Sequence, residues 1–168
     1  MTYYTGIGSR ETPEKTLKFM TVIAEWLYNR NYVLRSGGAD GADSAFEKGA
    51  GNRKEIYLPW KGFNNNLSSL YSIPKEAFEI ASRIHPAWEK CTPTVRKLHA
   101  RNVLQVWGKD LHTFSRFVIC WTKEGKYVGG TATAIKLAEK VGIPVFNLAI
   151  KSHREKIKKR ILETQNEL

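Results

Sequence analysis

The sequence has few cysteines and no long apolar run. Its 168 residues contain only two cysteines, Cys91 and Cys120, and Cys120 lies within the apolar stretch 117–121. This usage excludes a disulfide-rich secreted scaffold and favours reduced thiols. No window reaches the roughly 20 apolar residues of a membrane helix, and no basic segment followed by an apolar stretch opens the chain. We therefore predict a cytoplasmic protein.

Acidic residues are also scarce relative to basic ones. The chain carries 27 Lys and Arg against 16 Asp and Glu, a formal net charge of +11. This charge favours an anionic partner, which could be a nucleic acid, a nucleotide or an acidic membrane surface. With 42% hydrophobic residues and only six prolines, the composition excludes a disordered chain. The length predicts one domain spanning residues 1–168.

Short β-prone segments alternate with segments of helical periodicity. Strands are predicted at 3–7, 32–35, 55–58, 116–121 and 143–148, and helices at 13–29, 44–48, 75–84, 94–106, 129–140 and 151–168. We predict that residues 151–168 form a basic helix with Ile157 and Ile161 pointing inward. Strands separated by helices predict an α/β fold, a Rossmann-like parallel sheet flanked by helices on both faces.

Three glycine-rich turns follow predicted strands or open a helix. The first contains Gly8, Ser9 and Arg10; the second contains Ser36, Gly37, Gly38, Asp40 and Asp43; the third contains Gly129, Gly130 and Thr131. In a parallel sheet such turns meet at the carboxyl ends of the strands, where backbone N–H groups and helix N-termini can bind one anion. We predict a phosphate-binding pocket there, with Arg10 as a bidentate phosphate ligand.

Each turn also has a purely structural interpretation. The first could be a tight strand-to-helix turn, the second a helix entry with Asp40 or Asp43 as the N-cap, and the third a close contact of helix and strand. Asp43 could also accept from a ribose hydroxyl. Arg101, Asn102 and Thr122 complete the set of candidate ligand-binding residues, although Arg101 and Asn102 could equally lie on a solvated helix face.

Common cofactor motifs are absent. The dinucleotide fingerprint fails at Glu11, and the P-loop pattern fails because Asp110 follows Gly108 and Lys109. The four histidines have no spacing typical of metal ligands, so we predict no cofactor and no metal. The aromatic residues Trp60, Phe63, Trp88 and Trp107 could stack on a base, but packing within the protein is the favoured interpretation.

The order and spacing of these motifs resemble a known family. Residues 8–10, 34–43, 101–102, 129–134 and 143–146 are similar, in that order, to the Rossmann-like domain of the DNA-processing protein A family, within the SLOG superfamily. The resemblance spans about residues 3 to 148. It implies a pocket at the ends of the first and fourth strands for a nucleotide, a nucleotide derivative or a single-stranded DNA backbone. It also implies a homodimer or higher homo-oligomer, and the short chain resembles stand-alone versions encoded by bacteriophages, which act in the bacterial host cytoplasm.

The resemblance leaves three functional hypotheses. The leading one is a binding protein that captures a nucleotide or nucleotide-derived molecule, which in a phage could be a signalling nucleotide of host immunity. The second is sequence-independent binding of single-stranded DNA, which the charge and the basic C-terminal helix favour. The third is hydrolysis of an N-glycosidic bond. The cytokinin-activating LOG phosphoribohydrolases of the superfamily have a catalytic glutamate where this sequence has Lys136. Asp43 or Glu47 would therefore have to act as the acid or base. We predict binding rather than catalysis.

Overall fold

The residues that the structure describes form an α/β arrangement of five strands and six α-helices. A computed structural model describes residues 1–165. The strands are β1 (Thr2–Gly6), β2 (Tyr32–Ser36), β3 (Lys54–Ile56), β4 (Val118–Cys120) and β5 (Val145–Asn147). The α-helices are α1 (Glu14–Tyr28), α2 (Ala42–Ala50), α3 (Lys75–Ile84), α4 (Pro93–Trp107), α5 (Gly129–Lys140) and α6 (Lys151–Gln165).

The five strands form one parallel sheet in the order β3-β2-β1-β4-β5. All four strand pairs are parallel, and Gly6 at the end of β1 lies opposite Ile119 of β4. The chain builds outward in one direction from β1 to β3, then crosses back to place β4 on the other side of β1. Such a reversal opens a crevice at the carboxyl ends of the two central strands. The predicted fold class is confirmed.

Helices cover both faces of the sheet and bury two apolar clusters. On one face, Met20 and Ile23 of α1, Phe46 of α2 and Ile157 of α6 pack together with Ile119 of β4. On the other face, residues of α3, α4 and α5 pack on Val118 and Cys120 of the same strand. Because successive side chains of a strand point to opposite faces, one short strand serves both clusters.

Several boundaries and one cap differ from the prediction. Helices α3 and α5 have the predicted bounds, whereas β4 has three residues instead of the predicted six. The predicted Asp cap of α2 is wrong: the helix follows Gly41 without a side-chain cap, and Asp43 Oδ2 instead accepts from the Ala39 N–H (3.2 Å). Ile157 and Ile161 are buried as predicted; residues 166–168 of the predicted C-terminal helix lie outside the described residues.

None of the helices within residues 1–165 has both the length and the apolar composition needed to cross a membrane.

Candidate phosphate-binding pocket

A cavity of about 810 Å³ opens at the carboxyl ends of β1 and β4. Its walls come from the loop after β1, from α4 and from the start of α5. Nine of the predicted site residues line it: Gly8, Ser9, Arg10, Asp43, Arg101, Asn102, Gly129, Gly130 and Thr131. The three glycine-rich turns therefore contribute to one cavity, although the second does so only through Ala39 and Asp43.

The start of α5 presents backbone N–H groups to this cavity. The residue before the helix, Val128, makes no side-chain cap hydrogen bond, so the first N–H groups of α5 have no cap from the protein. Gly129 has φ +69° and, like Gly130, has open space where a Cβ would lie. Together with the positive end of the helix dipole, these groups favour an anion such as phosphate.

The loop after β1 contributes a rigid backbone and one exposed cation. The Ser9 N–H donates to Trp121 O (3.2 Å), and Ser9 Oγ accepts from the Glu11 N–H (3.0 Å). Ser9 therefore shapes the loop through its own hydrogen bonds. Arg10 is exposed at the mouth of the cavity, and within residues 1–165 no carboxylate lies within salt-bridge distance of it.

Arg101 is a buried cation in the wall of the cavity, only 7% exposed. Its guanidinium donates to Gly37 O, to Tyr57 O (3.4 Å) and, through Nε, to Asn102 Oδ1 (3.1 Å). Burial lowers the pKa of Arg101, and the nearby Asp43 carboxylate opposes that shift. Arg101 thus joins α4 to the turn after β2 and adds a positive charge to the wall.

Asp43 is the buried carboxylate of the cavity. Burial raises its pKa to about 6, while Arg101, the Ala39 N–H and the Ser36 hydroxyl act in the opposite direction. A carboxylate with this pKa is only partly protonated near neutral pH. The cavity therefore contains a negative charge whose loss, on protonation, would favour an anionic ligand.

Asn102 connects two walls of the cavity. Its Nδ2 donates to Gly130 O (3.1 Å), which ties α4 to the first turn of α5. Arg101 and Asn102 are both buried, so the alternative that they lie on a solvated helix face is wrong.

The other five predicted residues lie beside the cavity without lining it. Ser36 Oγ donates to Gly6 O (2.6 Å), and Gly37 O accepts from Arg101. Asn64 Nδ2 donates to both Gly38 O (3.0 Å) and Asp40 Oδ1 (2.9 Å). Thr122 is buried, and its Oγ1 accepts from Asn147 Nδ2 (2.6 Å). These residues hold the neighbouring loops in place.

Some lining residues were not predicted from the motifs. Leu98, His99 and Gln105 come from the face of α4 that carries Arg101 and Asn102, as their spacing of three to four residues could have indicated. Lys123 follows Thr122 directly after β4, the position at which ligands of parallel sheets bind. Phe63 also lines the cavity and packs edge-to-face on Trp60 with the ring centroids 5.3 Å apart.

Two carboxylates, Glu11 and Asp43, line the cavity. Glu47 lies elsewhere and accepts from Lys54 Nζ (2.9 Å) and Asn66 Nδ2 (3.0 Å). Lys136, at the position of the expected glutamate, is half-buried on α5 and does not line the cavity. Of the two carboxylates considered for hydrolysis, only Asp43 faces the cavity.

No protein-family model matches the sequence, and no curated protein matches it. Among solved structures, the chain is similar to DNA processing protein A from Helicobacter pylori, a protein described for its single-stranded DNA binding mode. The TM-score is 0.62 at 19% sequence identity, over 99% of this chain and 81% of the other. The fold is therefore a Rossmann-like α/β fold of the kind present in DNA processing protein A.

Proposed function

We propose that this protein binds single-stranded DNA without sequence preference and that the cavity between α4, α5 and the loop after β1 holds a backbone phosphate. The observation that carries the proposal is the uncapped start of α5 facing Arg10 and Lys123 across one cavity. A helix N-terminus with two exposed cations and a buried arginine suits a phosphate diester. The similarity of the fold to a protein that binds single-stranded DNA supports the choice of ligand.

Aromatic residues at the cavity support a single strand over a duplex. Phe63 forms part of the wall, the Arg101 guanidinium lies 5.7 Å from its ring centroid, and Trp60 beside it is 38% exposed. Unpaired bases can stack on such rings, whereas the bases of a duplex are already stacked on one another. A phosphate at α5 with a base near Phe63 is the arrangement that we propose.

Replacing Arg10 tests the proposal. Arg10→Ala should weaken binding of a labelled oligothymidylate of about 20 nucleotides by about 1.5–3 kcal/mol, because a charged hydrogen bond to phosphate is lost. The slope of log affinity against log salt should fall by about one unit. Fluorescence anisotropy over a range of salt concentrations measures both quantities.

Arg83→Ala is the matched control for Arg10→Ala. Arg83 is an exposed arginine of α3 that does not line the cavity, so its loss changes the net charge equally and leaves the pocket intact. Equal effects of the two substitutions would mean that the whole surface attracts DNA and that the cavity is not the binding site.

A free nucleotide is the second candidate ligand, because the cavity is concave and its volume of about 810 Å³ is sufficient for one small molecule. Under this alternative the protein captures a nucleotide or a nucleotide derivative. That the ligand is a signalling nucleotide, and that the protein forms a homo-oligomer, stay predictions. A nucleotide that fits should raise the melting temperature according to its concentration relative to Kd. Its affinity should depend on salt far less than that of an oligonucleotide.

A further inference from the structure

Three side chains with metal-binding atoms meet beside the cavity although they are spread over 15 positions of the sequence. His85, Cys91 and His99 each place one nitrogen or sulfur atom within 4.8 Å of the others. Cys91 Sγ lies 3.8 Å from His85 Nδ1 and 3.9 Å from His85 Nε2. The ring centroids of His85 and His99 are 4.4 Å apart. The spacing of the histidines in the sequence gave no sign of this cluster, because His85 and Cys91 lie in the segment between α3 and α4 whereas His99 lies in α4.

We propose that His85, Cys91 and His99 form a binding site for a borderline-soft divalent cation, with Zn²⁺ as the expected occupant. A thiolate and two imidazoles are the donors that zinc prefers, and a tetrahedral site with Zn–S near 2.3 Å and Zn–N near 2.0–2.1 Å needs donor atoms about 3.4–3.6 Å apart. The contacts at 3.8 and 3.9 Å are already close to that separation. The other donor separations, to His99, are at most 4.8 Å, so binding requires side-chain rotations that shorten them by up to about 1.4 Å.

The segment that carries Cys91 is held in place by its own contacts. His85 directly follows α3, and its N–H donates to Ala81 O (2.9 Å). The Cys91 N–H donates to Trp88 O (2.9 Å), and Arg96 of α4 donates to the same carbonyl (3.0 Å). The donors are thus positioned by the backbone before a metal arrives, which lowers the entropy cost of assembling the site.

His99 has an outer-shell partner of the kind that metal-binding histidines use. Its Nδ1 lies 3.1 Å from Thr133 Oγ1 of α5, and both side chains are buried. When Nδ1–H donates to this hydroxyl, Nε2 carries the lone pair and is the nitrogen available to a cation. Thr133 is therefore a positioning residue in the proposal.

Binding has a defined proton balance and a local structural cost. The Cys91 thiol loses one proton to solvent as its sulfur coordinates the cation. The Ala87 N–H now donates to His85 Nδ1 (3.0 Å). Coordination through Nδ1 takes this lone pair, and coordination through Nε2 leaves the remaining proton on Nδ1. In both cases the hydrogen bond from the Ala87 N–H to His85 Nδ1 is lost, so the Ala87 amide should respond to metal binding.

Within residues 1–165 the cluster contains three candidate ligands, which leaves a fourth tetrahedral position for water or another small ligand. Because His99 also lines the large cavity, the cation would lie against its wall. The proposal goes beyond phosphate binding and does not depend on it, since its test detects the metal itself.

Cobalt titration of the reduced, metal-free protein tests the proposal. Co²⁺ should bind one per chain and produce sulfur-to-cobalt charge-transfer absorption, and Zn²⁺ should displace it. Cys91→Ser should abolish that absorption, and His99→Gln should weaken binding about 100-fold or more. Cys120→Ala and His112→Gln, which change a cysteine and a histidine outside the cluster, should leave the titration unchanged.

Two further measurements keep the result decisive if a variant folds poorly. In the wild-type protein, Zn²⁺ should shift the Ala87 amide resonance in proportion to occupancy. Thr133→Val should weaken Zn²⁺ binding about 10–100-fold while the charge-transfer absorption with Co²⁺ remains, because the three ligands are intact. No stoichiometric binding by the wild-type protein, or charge-transfer absorption that persists in Cys91→Ser, would overturn the proposal.

Discussion

Asp43 is a buried carboxylate in a cavity whose other ionisable groups are mostly basic. The positive charge of Arg101, the N–H groups of Gly37 and Ala39 and the Ser36 hydroxyl all lower the pKa of Asp43. The charge of Arg10, in the loop after β1, lowers the pKa of Arg101 in turn. Desolvation exceeds these favourable contacts and raises the pKa to about 6. The folded protein therefore binds the Asp43 proton more tightly than the unfolded chain does.

Asp43 should give stability an unusual dependence on pH. Because its pKa is higher in the folded state, protonated Asp43 stabilises the folded protein relative to the unfolded chain. This contribution is complete below 3.8, the pKa in the unfolded chain, and is lost as the pH rises through about 6. Between about pH 5 and about pH 7.5 the loss is about 1 kcal/mol. Urea unfolding of wild type and Asp43→Asn at both values should show that their difference in free energy of unfolding changes by this amount. A constant difference would mean that Asp43 does not titrate in this range.

Several glycines and serines of the motifs have structural tasks that sequence alone could not separate from ligand binding. Gly37 was predicted to contact phosphate, but Arg101 donates to its carbonyl and occupies the space beside its Cα. Ser36 donates to Gly6 O, at the end of β1. A glycine-rich turn that binds phosphate and one that makes room for a buried arginine have the same sequence motif, because both need backbone without side chains. Only the three-dimensional contacts distinguish the two.

At the scale of the helices, one side chain sets the position of the proposed anion site. Asn102 Nδ2 donates to Gly130 O and thereby attaches the start of α5 to α4. Asn102→Ala should weaken DNA binding about 3- to 10-fold, because the N–H groups of α5 lose their fixed orientation without any change of charge. The salt slope should stay as in the wild type, which distinguishes this effect from Arg10→Ala.

Asn64→Ala is the control for Asn102→Ala. Asn64 also donates to a backbone carbonyl of a glycine-rich turn, Gly38 O, but does not line the cavity. Its replacement should leave the affinity within about twofold, since the two hydrogen bonds that it breaks, to Gly38 O and Asp40 Oδ1, lie away from α5. A loss equal to that of Asn102→Ala would mean that general loosening of the loops explains both.

Helices were easier to predict than strands for a physical reason. Both α3 and α5 begin and end as predicted because a proline or glycine precedes or opens them and their apolar residues repeat with helical spacing. The strands of a buried parallel sheet are apolar on both faces, so their ends have no such marker. For β4 the apolar run continues to Trp121, whereas the strand itself ends at Cys120.

For the whole molecule, the alternation of elements predicted a parallel sheet with helices on both faces, but it did not predict the strand order β3-β2-β1-β4-β5. Val118 and Cys120 belong to one apolar cluster and Ile119 to the other, which requires helices on both sides of β4. The distance in sequence between His85, Cys91 and His99 hid their proximity, because it arises from the pairing of α3 with α4. Local patterns predict elements, whereas such clusters depend on how the elements meet.

The net charge of +11 is spread over the molecule, and the exposed cations of α6 do not line the cavity. Replacing Lys151, Lys159 and Arg160 with Gln lowers the formal charge by three and leaves the buried side of α6, with Ile157 and Ile161, unchanged. At about 150 mM salt the Debye length is about 8 Å, so charges that do not contact the ligand contribute little to affinity.

The triple variant should therefore bind the oligothymidylate within about twofold of wild type at that salt concentration. It should differ more at about 20 mM salt, where screening is weaker. A loss at about 150 mM as large as that of Arg10→Ala would show that α6 contacts the strand directly and that the binding surface extends beyond the cavity.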